Sequence, residues 1–326
     1  SPIAPETGLV ARLWVFTTIG CIMPAGRKMD ALPNPTTSVA GISRSRKFRG
    51  YWALIKSYQT GLLLATGVAG FLGVHHSRWP WLTLSGLVGS LALAISGSTV
   101  LNMAYDADID ARMRRTCWRP LPSRQISSRE AVVFGCLLSA MGIGWALAIS
   151  PFYGLLVFAG AVLDVVVYTI WLKRRTAYAI LIGGLAGGMP VVAGRALAIG
   201  RIDAVGIMLA LAVLLWIPTH IMTFSMRHLD DYRSAGVPTF PGIYGFRATR
   251  AIIAISSLAA ALVMAYVAAR IGADWGWIRL LSALGVGLLG LAVWGLVRPS
   301  ERASFALFKY ASLFMFASMA IVATTA

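Results

Sequence analysis

The sequence predicts an all-α, polytopic membrane protein with nine transmembrane helices. Three observations carry this expectation. Hydrophobic residues make up 58% of the 326 and charged residues 13%, with a mean hydropathy of +0.74, whereas soluble domains carry roughly a quarter charged residues. Nine uninterrupted apolar stretches divide the chain, each near the ~20 residues that cross a bilayer core. Between them Lys and Arg collect in alternate connections, nineteen against five, a bias that orients the spans. This composition excludes a soluble enzyme and a disordered tail. The formal charge of +17 does not make a nucleic-acid binder either, because that needs a solvated basic face and these charges sit in short breaks between apolar runs.

In chain order the expected spans are residues 53–74, 82–104, 131–150, 152–172, 179–199, 204–224, 251–269, 279–297 and 304–325. Charge or Gly/Pro clusters separate them, and Pro151 alone parts the third from the fourth, which makes those two antiparallel neighbours. The basic connections hold Arg44, Arg46, Lys47 and Arg49 before the first span and six arginines from Arg112 to Arg129 after the second. They continue with Lys173, Arg174 and Arg175 after the fourth, Arg227, Arg233, Arg247 and Arg250 after the sixth, and Arg298 and Arg302 after the eighth. The opposite connections hold Arg78, Arg195, Arg201, Arg270 and Arg279. The start of the first span is therefore expected in the cytoplasm and the C-terminus outside, in a multi-pass protein of the plasma membrane.

Residues 1–50 read as an N-terminal extension and 51–326 as the transmembrane domain. Within the extension, residues 9–25 are apolar but interrupted by Arg12, which leaves a tenth span, a signal-like segment and an amphipathic surface helix open. Cys21, Cys117 and Cys136 are an odd count without metal-like spacing and imply neither a disulfide framework nor a zinc site.

Carboxylates are scarce, so their grouping is informative. Of 12 acidic residues, Asp106, Asp108, Asp110, Asp230 and Asp231 fall in two short segments at helix ends on the same predicted membrane side. Positions four apart drift by only about 40° per step around a helix, so Asn102, Asp106 and Asp110 share a face. Like charges on one face repel unless a cation stands between them, and a hard divalent ion such as Mg²⁺, which takes oxygen ligands and bridges to phosphates, serves that role. Balancing the neighbouring arginines in a solvated loop would account for one such segment. The second, Arg227 to Arg233, makes that explanation less economical and favours a site for an anion bridged by metal. A lipid diphosphate fits: polar head at the mouth, apolar tail in the bilayer.

Asn102-x3-Asp106-x3-Asp110, followed by Met113-x-Arg115-Thr116-x-x-Arg119-Pro120-Leu121, resembles the first Asp-rich motif of the UbiA superfamily of intramembrane prenyltransferases. The second half of that run is similar to the protoheme IX farnesyltransferase branch, the heme O synthases. So are Tyr168-Thr169-x-Trp171-Leu172-Lys173-Arg174-Arg175-Thr176 and the stretch from Pro218-x-His220 to Asp231-Tyr232-x-x-Ala235-Gly236-Val237-Pro238. Departures concern the acceptor side more than the reaction. Arg227 stands where the superfamily's second motif often has an Asp, Thr219 where the branch usually has Pro, and Arg195 where it often has Trp.

The resemblance implies a UbiA-type bundle with a central cavity open to the cytoplasmic side, and transfer of an isoprenyl group, farnesyl in this branch, from its diphosphate. Mg²⁺ would be held by Asn102, Asp106, Asp110, Asp230 and Asp231, and the diphosphate by Lys56, Arg115, Arg119, Lys173 and Arg174. The acceptor would be heme B, with an aromatic acid or quinone precursor such as 4-hydroxybenzoate, or a glycerophosphate lipid precursor, as alternatives. Tyr168 and Tyr105 could stabilise an allylic cation through their ring faces, although tyrosines near helix ends commonly anchor at the interface. His220 could orient the acceptor, bond a neighbouring helix or contact the diphosphate; His228 is expected to be solvated or to back the ligands, and His75 and His76 uninvolved. Asp164, an intramembrane carboxylate, is a functional candidate by default and could orient an acceptor or position a base. The Gly183-Gly184-x-x-Gly187-Gly188 run suits close helix packing first and a prenyl-tail groove second.

Two other classes fit less well. A transporter would place its ionisable groups near the midplane, where only Asp164 lies deep, and a lipid phosphotransferase would need a different aspartate pattern.

Overall fold

A computed structural model describes residues 44–74 and 81–325. The described residues form twelve helices and no strand: α1 (Arg44–Leu54), α2 (Ser57–Leu72), α3 (Trp81–Tyr105), α4 (Ala107–Arg112), α5 (Ser128–Ile149), α6 (Pro151–Leu172), α7 (Ala179–Ile199), α8 (Ala204–Arg227), α9 (Leu229–Ser234), α10 (Phe240–Arg270), α11 (Trp275–Val297) and α12 (Glu301–Thr325). The readings placed on residues 9–25, Cys21, His75, His76 and Arg78 lie outside the described residues.

Eight helices, α3, α5 to α8 and α10 to α12, are long and apolar enough to cross a membrane. The nine-span expectation differs from this at the first span. There the chain breaks at Lys56, which adopts left-handed backbone angles (φ 46°, ψ 58°), a costly conformation for a residue with a Cβ. The expected span 53–74 becomes the polar helix α1 and the 16-residue α2, which at 1.5 Å per residue is about 24 Å long. Other boundaries move by a few residues, except at α10. Its first turn, carrying Phe240, precedes a kink at Gly245 (φ 78°, ψ 169°), where hydropathy gave no signal.

Helix ends follow local rules. Ser127 and Glu130 form a reciprocal capping box on α5, and Lys47 of α1 pairs with the same Glu130. Ser150 caps α6 with Pro151 in its first turn, which produces the tight antiparallel α5–α6 corner.

α3 and α7 are central, with half or more of their apolar windows buried, while α5 and α6 bury 17% each and form the outer wall. α2 and α7 meet backbone to backbone: a Cβ on Gly194 would stand 1.9 Å from the Gly67 carbonyl oxygen. Gly184, Gly187 and Gly188 abut Leu214, Ile217 and Ala210 of α8, so most of the glycine run serves packing. At the end away from the aspartates, Arg195 donates two bonds of 2.8 Å to Asp203 and one of 2.8 Å to the Gly73 carbonyl, tying α2, α7 and α8. A recess of about 440 Å³ lies between α1 and α5, lined by Tyr51, Arg129 and Phe134 among others, and a smaller one is lined by Thr223 and Arg250. Neither adjoins Asp106 or Asp110, so neither is the expected central cavity.

Candidate active site

The first motif sits where α3 gives way to α4. Asp106 leaves helical geometry (φ −88°, ψ 6°), yet its N–H still donates to Asn102 O at 3.0 Å, and Asp110 N–H donates to Asp106 O at 2.8 Å. The i to i−4 ladder continues through the break, and Asn102, Asp106 and Asp110 keep a common face. The following loop folds back on α4: Arg119 Nη1 donates to Asp110 Oδ2 at 2.8 Å, and buried Thr116 donates its hydroxyl to the Asp110 carbonyl at 2.9 Å.

Asp106 and Asp110 are both buried, at 6% and 7% exposure. The Lys173 ammonium bonds Asp106 Oδ2. Asp106 Oδ1 is buried with no hydrogen-bond partner, and Arg174 Nη2 stands 3.8 Å away. Arg174 grips Asp108 with bonds of 3.0 and 2.7 Å, donates to the Tyr105 carbonyl at 2.7 Å, and lies 4.5 Å over the Tyr105 ring. These hydrogen bonds hold the Asp108 carboxyl below its usual range. Tyr105 is thus a platform for Arg174. At the α1–α2 break, burial and the charges of Arg119 and Lys173 pull the Lys56 ammonium down to about 8, against Asp110 and Asp106, so Lys56 belongs to the same electrostatic cluster.

The second half of α6, residues Val162–Leu172, is π-helical, and Lys173 N–H donates to Tyr168 O at 2.8 Å, five residues back. This stretch brings two groups to the first motif and sets a third, Tyr168, against α7. Asn102 donates its amide NH₂ to Asp164 Oδ2 at 2.8 Å and accepts from the Thr169 hydroxyl at 2.9 Å. The Tyr168 ring packs on Gly183, where a Cβ would come within 3.2 Å of it, and Lys173 Nζ lies 5.7 Å over that ring.

The second motif is carried by the short α9. It docks on the first through a cluster of Ile109, Met113, Ala235 and Val237 with Tyr232 against it, and Ser234 Oγ lies 3.4 Å from the Arg112 carbonyl. Arg115 lies 4.9 Å over Phe224 and 6.0 Å over Tyr232. Burial and the charges of Arg115 and Arg227 depress His228, half-buried at the end of α8, with Asp231 opposing. Asp230 is exposed and Asp231 half-buried. His220 stands in a separate stack, 4.8 Å from Trp216 and 4.4 Å from Phe308, with Nδ1 3.3 Å from Ser312 Oγ. These contacts join α8 to α12.

The structure thus gathers Lys56, Asn102, Asp106, Asp110, Arg119, Asp164, Tyr168, Lys173 and Arg174, with Arg115 and α9 alongside. Among the described residues no three His, Cys, Asp or Glu side chains stand together as a ready-made metal cage. Mg²⁺ does not need one, since it binds through one or two carboxylates, waters and substrate phosphates. The residues fit that ion: a buried carboxylate oxygen of Asp106 has no donor, while the buried Nε groups of Arg115 and Arg174 have no acceptor. An unpaired Asp106 oxygen with the Arg174 guanidinium 3.8 Å away suits a cation and a polyanion arriving together. Sequence reasoning gave no role to Thr116 or Thr169. The two threonines lie inside the runs already quoted, Thr116 directly after Arg115 and Thr169 directly after Tyr168.

Comparison with known proteins gives the family and the fold. The profile of the UbiA prenyltransferase family matches residues 62–319. The chain is 44% identical over 205 residues to a protoheme IX farnesyltransferase of Korarchaeum cryptofilum, covering 63% of this chain and 69% of that protein. It is 38% identical over 272 residues to a protoheme IX farnesyltransferase of Thermofilum pendens, covering 80% and 93%. A structure of digeranylgeranylglyceryl phosphate synthase superposes with a TM-score of 0.70 at 18% identity, over 85% of this chain and 97% of that one. A UbiA homolog from Archaeoglobus fulgidus bound to GPP and Mg²⁺ superposes with a TM-score of 0.61 at 18% identity, over 84% and 99%; these two likenesses establish the fold.

Proposed function

The chain belongs to the UbiA prenyltransferase family, and from that premise we propose that it transfers a farnesyl group from farnesyl diphosphate to a vinyl group of heme B, giving heme O. The observation that carries the reading is Asp106: a buried carboxylate with one oxygen on Lys173 and the other without a donor, beside Arg174. The acceptor rests on the relatives' names.

Asn102, Asp106 and Asp110, with Asp230 and Asp231 from α9, would hold Mg²⁺, whose charge stabilises the departing diphosphate. Lys56, Arg115, Arg119, Lys173 and Arg174 bind the diphosphate oxygens. The allylic C–O bond breaks with its electron pair leaving on the diphosphate, and the farnesyl cation forms over the Tyr168 ring, which Gly183 lets approach. The lipid-embedded bundle keeps bulk water from that cation. A vinyl carbon captures it, and water adds to the resulting porphyrin-side cation with loss of a proton, leaving a hydroxyethylfarnesyl group. His220, with Nδ1 toward Ser312 and rings on both sides, orients the acceptor. The nineteen-to-five Lys/Arg bias supports a cytoplasmic placement of the motif end in the plasma membrane.

The test is direct. Membranes containing the protein are incubated with Mg²⁺, farnesyl diphosphate and heme B, 4-hydroxybenzoate or a glycerophosphate acceptor, and the products are weighed by mass spectrometry. A farnesylated, hydrated heme supports the reading, and product only with another acceptor replaces heme. Activity surviving Asp106→Ala removes the metal assignment.

A further inference from the structure

Asn102 is the one proposed metal ligand whose amide is held from both sides. Asp164 Oδ2 accepts from its NH₂ at 2.8 Å and the Thr169 hydroxyl donates to its oxygen at 2.9 Å. Thr169 is fully buried. An amide can flip end for end with little change in shape, and its neighbours decide which end faces where. Here an Asp164 oxygen takes the NH₂ and the Thr169 hydroxyl takes the amide oxygen, which is left with a second lone pair.

The π-helical turn makes this grip feasible. Asp164 and Thr169 are five residues apart; in an α-helix they would point about 140° away from each other. The wider i to i+5 register of Val162–Leu172 stacks them, so both reach one side chain on α3. π-helical turns often mark functional sites, and this one holds an intramembrane carboxylate against the first motif.

We propose that Asp164 and Thr169 are positioning residues that set the orientation of the Asn102 amide, and thereby the affinity of the first motif for Mg²⁺. The inference rests on the reading of Asn102 as a metal ligand. It gives Asp164 a role on the metal side rather than toward the acceptor.

The experiment measures Mg²⁺ binding without turnover. Purified protein is held in a fixed excess of the unreactive analogue farnesyl thiodiphosphate, Mg²⁺ is titrated, and the thermal midpoint is followed. Asp164→Asn, which can present either a donor or an acceptor to Asn102, and Thr169→Val, which removes the hydroxyl at similar volume, should each raise the half-saturating Mg²⁺ concentration by about 10- to 100-fold, the range for groups that orient metal ligands. Thr169→Ser should restore the wild-type value, and the KM for the acceptor should not move. If Asp164→Asn fails to fold, judged by the midpoint without Mg²⁺, Thr169→Val carries the test. Unchanged Mg²⁺ dependence in both variants while Asn102→Ala shifts it overturns the clamp alone. Unchanged dependence in Asn102→Ala removes Asn102 from the metal site and the proposal with it. A raised acceptor KM at constant Mg²⁺ dependence returns Asp164 to the acceptor side.

Discussion

Arg119 Nη1 lies 2.8 Å from Asp110 Oδ2, so a guanidinium suited to a diphosphate is engaged with a carboxylate suited to a metal. Lys173 and Asp106 repeat the relationship. The protein holds its two ligand sets closed on each other, and opening either pair for one ligand alone strands the other partner as a buried charge. Mg²⁺ and diphosphate should therefore bind together. In a thermal-shift titration, neither Mg²⁺ nor farnesyl thiodiphosphate alone should move the midpoint appreciably, while the two together should raise it. Chelation of Mg²⁺ should abolish turnover, and its return should restore it.

Two glycines on α7 should respond in opposite ways to the same added methyl group. Gly194→Ala forces a carbon against the Gly67 carbonyl, 1.9 Å away; backbone cannot yield cheaply, and the cost should reach about 3 kcal/mol or more. At Gly183 the obstacle is the edge of the Tyr168 ring at 3.2 Å, which can tilt. Gly183→Ala should keep its fold and lose turnover, read by comparing unfolding midpoints with kcat for the two variants.

The Arg195–Asp203 pair lies at the opposite end from the motifs. Asp203 also accepts from Gly206 N–H at 2.9 Å, capping α8. Asp203→Ala leaves the Arg195 guanidinium, 10% exposed, without its carboxylate, and should destabilise by about 3 kcal/mol. The folded fraction should retain wild-type KM values for both substrates.

His220→Phe preserves the stack between Trp216 and Phe308 and removes both ring nitrogens. If His220 orients the acceptor, the acceptor KM should rise by about 10-fold, the loss of one hydrogen bond to a charged or metal-polarised group, at constant KM for the diphosphate. A change confined to the unfolding midpoint would leave His220 as the α8–α12 brace alone.

Eight crossings and both Asp-rich segments were readable from hydropathy and the scarcity of carboxylates, and the Asn102–Asp106–Asp110 face survived even the helix break at Asp106. Other features were hidden for physical reasons. A left-handed Lys56 leaves no mark in an apolar window, because its backbone angles come from the packing of α1 and α2 around it. The π register of α6 is equally silent: Val162–Leu172 is apolar at almost every position, so no periodicity separates 3.6 residues per turn from a wider turn. Without that register, the meeting of Asp164 and Thr169 on Asn102 could not be foreseen. Nor does charge spacing reveal that Lys173 and Arg119 rest on the aspartates themselves, since that depends on which connections fold back.

The shortness of α2 has a consequence for the lipid around it. A bilayer core about 30 Å thick meets a helix about 24 Å long, whose motif end is exposed at Ser57, Gln59 and Gly61. Hydrophobic mismatch of this size is relieved by thinning the leaflet or by dipping head groups and water toward the short helix. A depression there would lie beside Lys56, and a prenyl diphosphate travelling in that leaflet would then bring its charged end level with the site while its chain stays in hydrocarbon.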